Sequence, residues 1–190
     1  CKENGILLVV DEVQSGFGRT GKWFASEYYG LEPDIIVLGK SIASGMPLAA
    51  IVARKEILES WSAPAGSYST SGNPICCAAS LATIDIIKEE DLVNKAEKLG
   101  DYIIERFEDM KKRHDLIGDI RGKGLMIGVD LVKDHKTKER AKEETAKISY
   151  RCWEKGLFIT FFNGNVLRIA PPLVISKEQL KKALDIIEEA

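Results

Sequence analysis

Two short apolar runs constrain this chain more than anything else in it: ILLVV at 6–10 and IIVL at 35–38. Each is continuous rather than alternating, too short for a typical helix and rich in branched residues. That pattern suits strands covered on both faces, as in a parallel α/β sheet. LAAIVAR at 48–54 is a third candidate strand. The first run ends in Asp11 and the second leads into Gly39 and Lys40. In a parallel sheet both ends point to one edge, which is where such folds bind ligands.

The remaining elements carry local punctuation. KWFASEYYG reads as a short helix ending at Gly30. Asn73 followed by Pro74 is a helix start, with a side-chain cap and proline in the first turn. Residues 91–113 form a long amphipathic pattern with charges at i, i+4 spacing. IGDIRGKGLMIGVDLV at 117–132 reads as a strand pair, and the helix around 141–155 stops at Gly156. LFITFF and VLRIAPPL read as strands around the turn Asn163-Gly164-Asn165. Ser176 with Gln179 is a capping box opening a helix over 177–189. The expectation is therefore an α/β region over residues 1–90, followed by a smaller α+β domain over 91–190.

Composition narrows the function classes. The 190 residues carry 27 basic and 29 acidic side chains, a net charge of −2. That balance favours neither nucleic acid nor an anionic membrane as a partner. No apolar run approaches a membrane span and no signal peptide is visible, so a cytoplasmic location is expected. Cys1, Cys76, Cys77 and Cys152 lack metal-ligand spacing, and no metal site is expected. A chain opening at Cys1, only a few residues before a strand, is expected to be part of a longer protein.

Two nucleotide signatures fail on inspection. Gly16, Gly18 and Gly21 spell G-x-G-x-x-G, but DEVQS separates them from the strand and no acid ends the next strand. Gly39-Lys40-Ser41 lacks the glycine five residues earlier that a P-loop requires; Asp34 stands there. What remains is an acid and a lysine at the ends of two candidate strands. They could be a plain ion pair. They also match what pyridoxal phosphate requires: an amine for a Schiff base and an acid that keeps the ring nitrogen protonated.

Several blocks resemble one family. GILLVVDEVQSGFGRTGKWFASEYYGLEPDIIVLGKSIASGMPLAAIVAR is similar to the class III (subgroup II) aminotransferases, the family of 4-aminobutyrate and ornithine aminotransferases. YSTSGNPICCAASLA, RGKGLMIGVDL and VLRIAPPL resemble its later blocks, in the right order. The resemblance implies fold type I, with pyridoxal 5'-phosphate bound by a large domain at a homodimer or higher homo-oligomer interface. It implies that Lys40 is the Schiff-base lysine and Asp11 the partner of the ring nitrogen. Val13 would pack on the ring face and Gln14 would lie near its 3-hydroxyl. Ser69, or Thr70 beside it, would reach a phosphate of the neighbouring subunit. Arg168 would hold the substrate carboxylate, for which its two-pronged guanidinium is suited; the plain alternative is a surface arginine on a strand. KSIASGMP departs from the commoner KALGGGxP form, and the family's upstream phosphate loop lies outside this sequence.

The implied reaction moves an amino group from an amino acid or ω-amine, such as 4-aminobutyrate, to a 2-oxo acid. An amino-acid racemase or epimerase of the same family is the nearest alternative, and a non-catalytic fragment is a third.

Overall fold

Only the end of the first apolar run is strand. In the computed structural model, which describes residues 1–62 and 68–190, β1 is Val9–Asp11. It pairs in parallel with β2 (Ile35–Leu38), Asp11 opposite Val37. Asp34 fixes this register: its carboxylate accepts the Leu8 amide at 2.8 Å and pairs with Arg54 at 2.8 Å. The Leu8 hydrogen bond, with the Arg54 charge adding to it, holds the Asp34 carboxyl below its ordinary range.

The third strand adds an antiparallel partner to the expected parallel pairing. β3 (Ala50–Ala53) runs antiparallel to β2, giving a mixed sheet in the order β1-β2-β3. The connection over 39–49 is too short for a parallel crossover, which takes a dozen or more residues and usually a helix. Cover of this sheet is incomplete among the described residues: Leu38 is buried, but Val9, Ile51 and Val52 stand about half exposed, as do Ile6 and Leu7.

After a single helical turn, α1 (Lys55–Leu58), the long α2 (Pro74–Glu89) begins as the sequence indicates. Asn73 Oδ1 accepts the amides of Ile75 (3.0 Å) and Cys76 (3.4 Å), and Pro74 occupies the first turn. α2 packs on the 3-10 turn Lys40–Ala43, burying Ile42, Ala43 and Cys76. The turn that carries Lys40 is thus backed by a helix.

The chain divides into two compact units, Cys1–Val93 and Asn94–Ala190. In the second unit, the helix α3 (Leu92–Lys111) is followed by a hairpin of β4 (Ile117–Lys123) and β5 (Met126–Leu131). Gly100 in mid-helix is explained by packing: a Cβ there would lie 2.3 Å from the Gly124 carbonyl oxygen. α4 (Lys142–Glu154), β6 (Thr160–Phe162), β7 (Val166–Ile169) and α5 (Lys177–Glu189) complete an antiparallel sheet in the order β4-β5-β7-β6. Phe107, Ile103, Met110, Val129, Leu131, Leu167, Leu180 and Leu184 form one buried cluster. Buried Asn165 ends the hairpin turn by donating to the Leu131 carbonyl at 2.9 Å and to Asp130. The capping box is formed: Gln179 donates its amide to Ser176 Oγ (3.1 Å) and accepts the Ser176 amide (3.0 Å).

All four cysteines are free, and burial pushes the Cys152 thiol up. No helix among the described residues is long and apolar enough to cross a membrane.

Candidate active site

Asp11 and Glu12 look equivalent in sequence, and the structure separates them. Successive residues at a strand end point to opposite sides. Asp11 is exposed at the sheet edge, and its Oδ1 accepts the Val13 amide at 2.9 Å. Glu12 is buried. Its carboxylate accepts the Ser15 hydroxyl at 2.5 Å, the Ala25 amide at 3.0 Å and the Ser26 amide at 2.7 Å. Burial alone would raise the Glu12 carboxyl, but these hydrogen bonds outweigh it and hold the group below its ordinary value. Glu12 therefore staples the glycine-containing loop to the end of β1. It also occupies the first amides of the 3-10 turn Ala25–Tyr29. Those are the donors a phosphate would need at a helix start, so the glycine signature makes no phosphate cradle here.

Lys40 follows β2 after the extended Gly39. A Cβ at Gly39 would lie 3.3 Å from Val13 Cγ1, so the absence of a side chain lets Val13 sit against this strand end. The Lys40 backbone is left-handed, at φ +43°. Such a conformation costs a non-glycine residue of order 1–3 kcal/mol and recurs at functional sites. Lys40 Nζ donates to Gln14 Oε1 at 2.5 Å. Asp11, Val13, Gln14 and Lys40 thus converge on one sheet edge, joined by the parallel pairing of β1 and β2 and by the Lys40–Gln14 hydrogen bond.

Ser69 and Thr70 lie in an exposed turn ahead of Asn73. No hydrogen bond among the described residues ties either to Lys40, Gln14 or Asp11.

Arg168 belongs to the second unit. On β7 it sits between Gly128 of β5 and Thr160 of β6. Arg121, facing Gly128 from β4, offers a contrast. Arg121 is neutralised by Asp119 (2.9 Å) and Asp130 (3.6 Å). Arg168 makes no ion pair among the described residues. Its guanidinium carbon instead lies 5.3 Å from the Phe162 ring centroid. A strand arginine without an acid keeps its charge available for an anionic ligand.

A family model described as aminotransferase class-III matches residues 1–190. The chain belongs to the class-III aminotransferase family. It is 54% identical to a leucine/methionine racemase of Thermococcus litoralis over 99% of this chain and 42% of that protein. It is 48% identical to an isoleucine 2-epimerase of Lentilactobacillus buchneri over 100% of this chain and 42% of that protein. A crystal structure of a Bacillus anthracis aminotransferase matches the fold with a TM-score of 0.92 at 37% identity, over 100% of this chain and 45% of that one. The chain thus spans under half the length of the relatives it matches. The fold expected from the resemblance, that of the pyridoxal-phosphate aminotransferases, is the one found, here with its mixed and antiparallel sheets. Pyridoxal phosphate is the cofactor of this family.

Proposed function

We propose that this chain is the lysine-bearing part of a pyridoxal-phosphate enzyme that racemises or epimerises an amino acid. One observation carries the assignment of the site. Lys40, just past the end of the strand that neighbours the one ending in Asp11, is held in a strained backbone conformation with its amine 2.5 Å from Gln14. An amine and a carboxylate are what the cofactor's aldehyde and ring nitrogen call for, and here the Gln14 amide and the Val13 isopropyl group stand beside them, so these residues fit that part of the group. When bound, the cofactor supplies an electron sink for the carbon that loses its proton.

Lys40 would hold the cofactor through its amine, and that amine, once free of the cofactor, would hold and return the proton at the substrate's amino-bearing carbon. The Gln14 amide oxygen orients the Lys40 N–H groups, and Gln14 would serve as the neighbour of the ring hydroxyl. One oxygen of Asp11 is engaged by the Val13 amide; the carboxylate would pair with the ring nitrogen and favour its protonated form. Val13 would pack against the ring face. Ser69 or Thr70 would hold a phosphate across a homodimer interface. Arg168 binds the substrate carboxylate with two parallel N–H donors. The partners are an amino acid and, in the second reading below, a 2-oxo acid.

The choice of reaction rests on the racemase and epimerase relatives at 54% and 48% identity. Transamination, from an amino acid or an ω-amine such as 4-aminobutyrate to a 2-oxo acid, is the second reading. The aminotransferase of matching fold favours it. Incubating the full-length enzyme with a single enantiomer separates them. Loss of optical activity without any 2-oxo acid is the expected result. Turnover that strictly requires a 2-oxo acid, with the configuration of the remaining donor unchanged, would establish the second reading instead.

A further inference from the structure

We propose that Phe162 is a positioning residue for Arg168: its ring holds the guanidinium over the open sheet face and so sets how tightly a substrate carboxylate is bound. The inference rests on the reading that Arg168 is the carboxylate site.

Strand geometry leads to it. The turn at 163–165 pairs Phe162 with Val166 and Thr160 with Arg168. Residues two apart on a strand share a face, so Phe162 and Arg168 lie on the same side as diagonal neighbours. Aromatic and long side chains reach one another across that diagonal. The opposite side of β7 is the one that packs into the core, through buried Leu167 and Ile169. Arg168 therefore stands on the face of the strand away from the core.

Charge sharpens the point. On the same row Arg121 is held by two carboxylates, whereas Arg168 has none among the described residues and has the Phe162 ring instead, at 5.3 Å. A carboxylate in that place would also fix the guanidinium, but it would compete with the substrate. A ring face orients the cation without neutralising it. An arginine with no neighbour would have to be immobilised by the substrate itself, which weakens binding. Core packing does not account for Phe162, which is 52% exposed on the edge strand β6, where an apolar side chain is a liability.

The test is a double-mutant cycle in the full-length holoenzyme. Phe162→Leu should raise KM for the amino acid roughly two- to fivefold, the size of an exposed cation–π contact. It should leave kcat and the bound cofactor's absorbance unchanged, and Phe162→Tyr, which keeps the ring, should retain the wild-type KM. In an Arg168→Gln background Phe162→Leu should add nothing, an outcome that a merely structural role would not give. An equal KM increase with and without Arg168, or an effect on kcat alone, would overturn the proposal. If Arg168→Gln itself leaves KM unchanged, the carboxylate reading fails, and this inference with it. If Arg168→Gln raises KM but Phe162→Leu does not, only the role of Phe162 fails.

Discussion

The two units meet the problem of burial in different ways. Asn94–Ala190 has a continuous apolar cluster drawn from three helices and its sheet, centred on Phe107, Ile103, Leu167 and Leu184. Cys1–Val93 leaves Val9, Ile51 and Val52 of its sheet about half exposed, and Leu81 and Ile86 of α2 as well. Several of its best-buried groups are polar: Glu12, Thr20, Ser26 and Ser80. Hydrogen bonds, such as those gathered by Glu12 and Asp34, hold its loops and strand ends in place. The less self-sufficient unit carries Asp11, Gln14 and Lys40. The proposed chemistry sits where the chain is fixed by specific polar contacts, and the packed core lies in the other unit.

That contrast can be broken first at Lys40. Lys40→Ala should lower turnover of the full-length enzyme by about a thousandfold, within the 10²–10⁴ range typical of a positioned proton carrier. Because Lys40 is exposed, the unfolding midpoint should hardly move. Steady-state kinetics and a denaturant melt on one preparation check both halves; near-normal turnover would remove Lys40 from the chemistry.

The core should respond the opposite way. Phe107→Ala is expected to cost about 3–5 kcal/mol of stability, as for other large-to-small changes in a packed core. Val52→Ala, on the exposed sheet face, should stay within about 0.5 kcal/mol in this 190-residue chain. Equal losses in denaturant unfolding would erase the distinction between the units.

Asp11→Asn keeps shape and removes charge. Turnover should fall about a hundredfold, close to 3 kcal/mol of barrier, with the fold intact by circular dichroism. A variant as active as the parent would show that Asp11 is not the ring partner.

The smallest effect is expected at Glu12 and appears as a pH dependence. Its folded carboxyl lies below the ordinary value of 4.5. Folding therefore favours the ionised form, and the stability this lends is present above that value and is lost as pH falls through the lower folded value. Unfolding midpoints measured while acidifying should drop more steeply for the parent than for Glu12→Gln, which cannot titrate. Parallel curves would mean that Glu12 does not clamp the loop through its charge.

Much of the fold was legible because its signals are local. Asn73-Pro74, Ser176 with Gln179, and the turn at 163–165 each specify their own hydrogen bonds within a few residues. The direction of β3 was not legible, because a strand's own residues do not state which way it pairs; the short 39–49 connection was the available clue. The exposure of the first sheet agrees with what a continuous apolar run says: cover is suited to it, but these residues need not supply it. Within the candidate site, Lys40 and Asp11 could be picked out as strand-end residues. The role of Glu12 was not legible, since its partners Ala25 and Ser26 are distant in sequence; only strand alternation hinted that it points away from the side of Asp11. The left-handed backbone of Lys40 had no sequence signal at all. The Phe162–Arg168 diagonal was available in principle from the length of the hairpin turn.

The most direct measurement is chemical. The full-length enzyme, loaded with pyridoxal phosphate, is treated with borohydride, which converts a lysine–cofactor link into a stable secondary amine, and the labelled peptide is sequenced. The label is expected on Lys40, in the peptide around Gly39-Lys40-Ser41. A label on any other lysine, or none on a cofactor-saturated enzyme, would contradict the placement of the chemistry at this strand end.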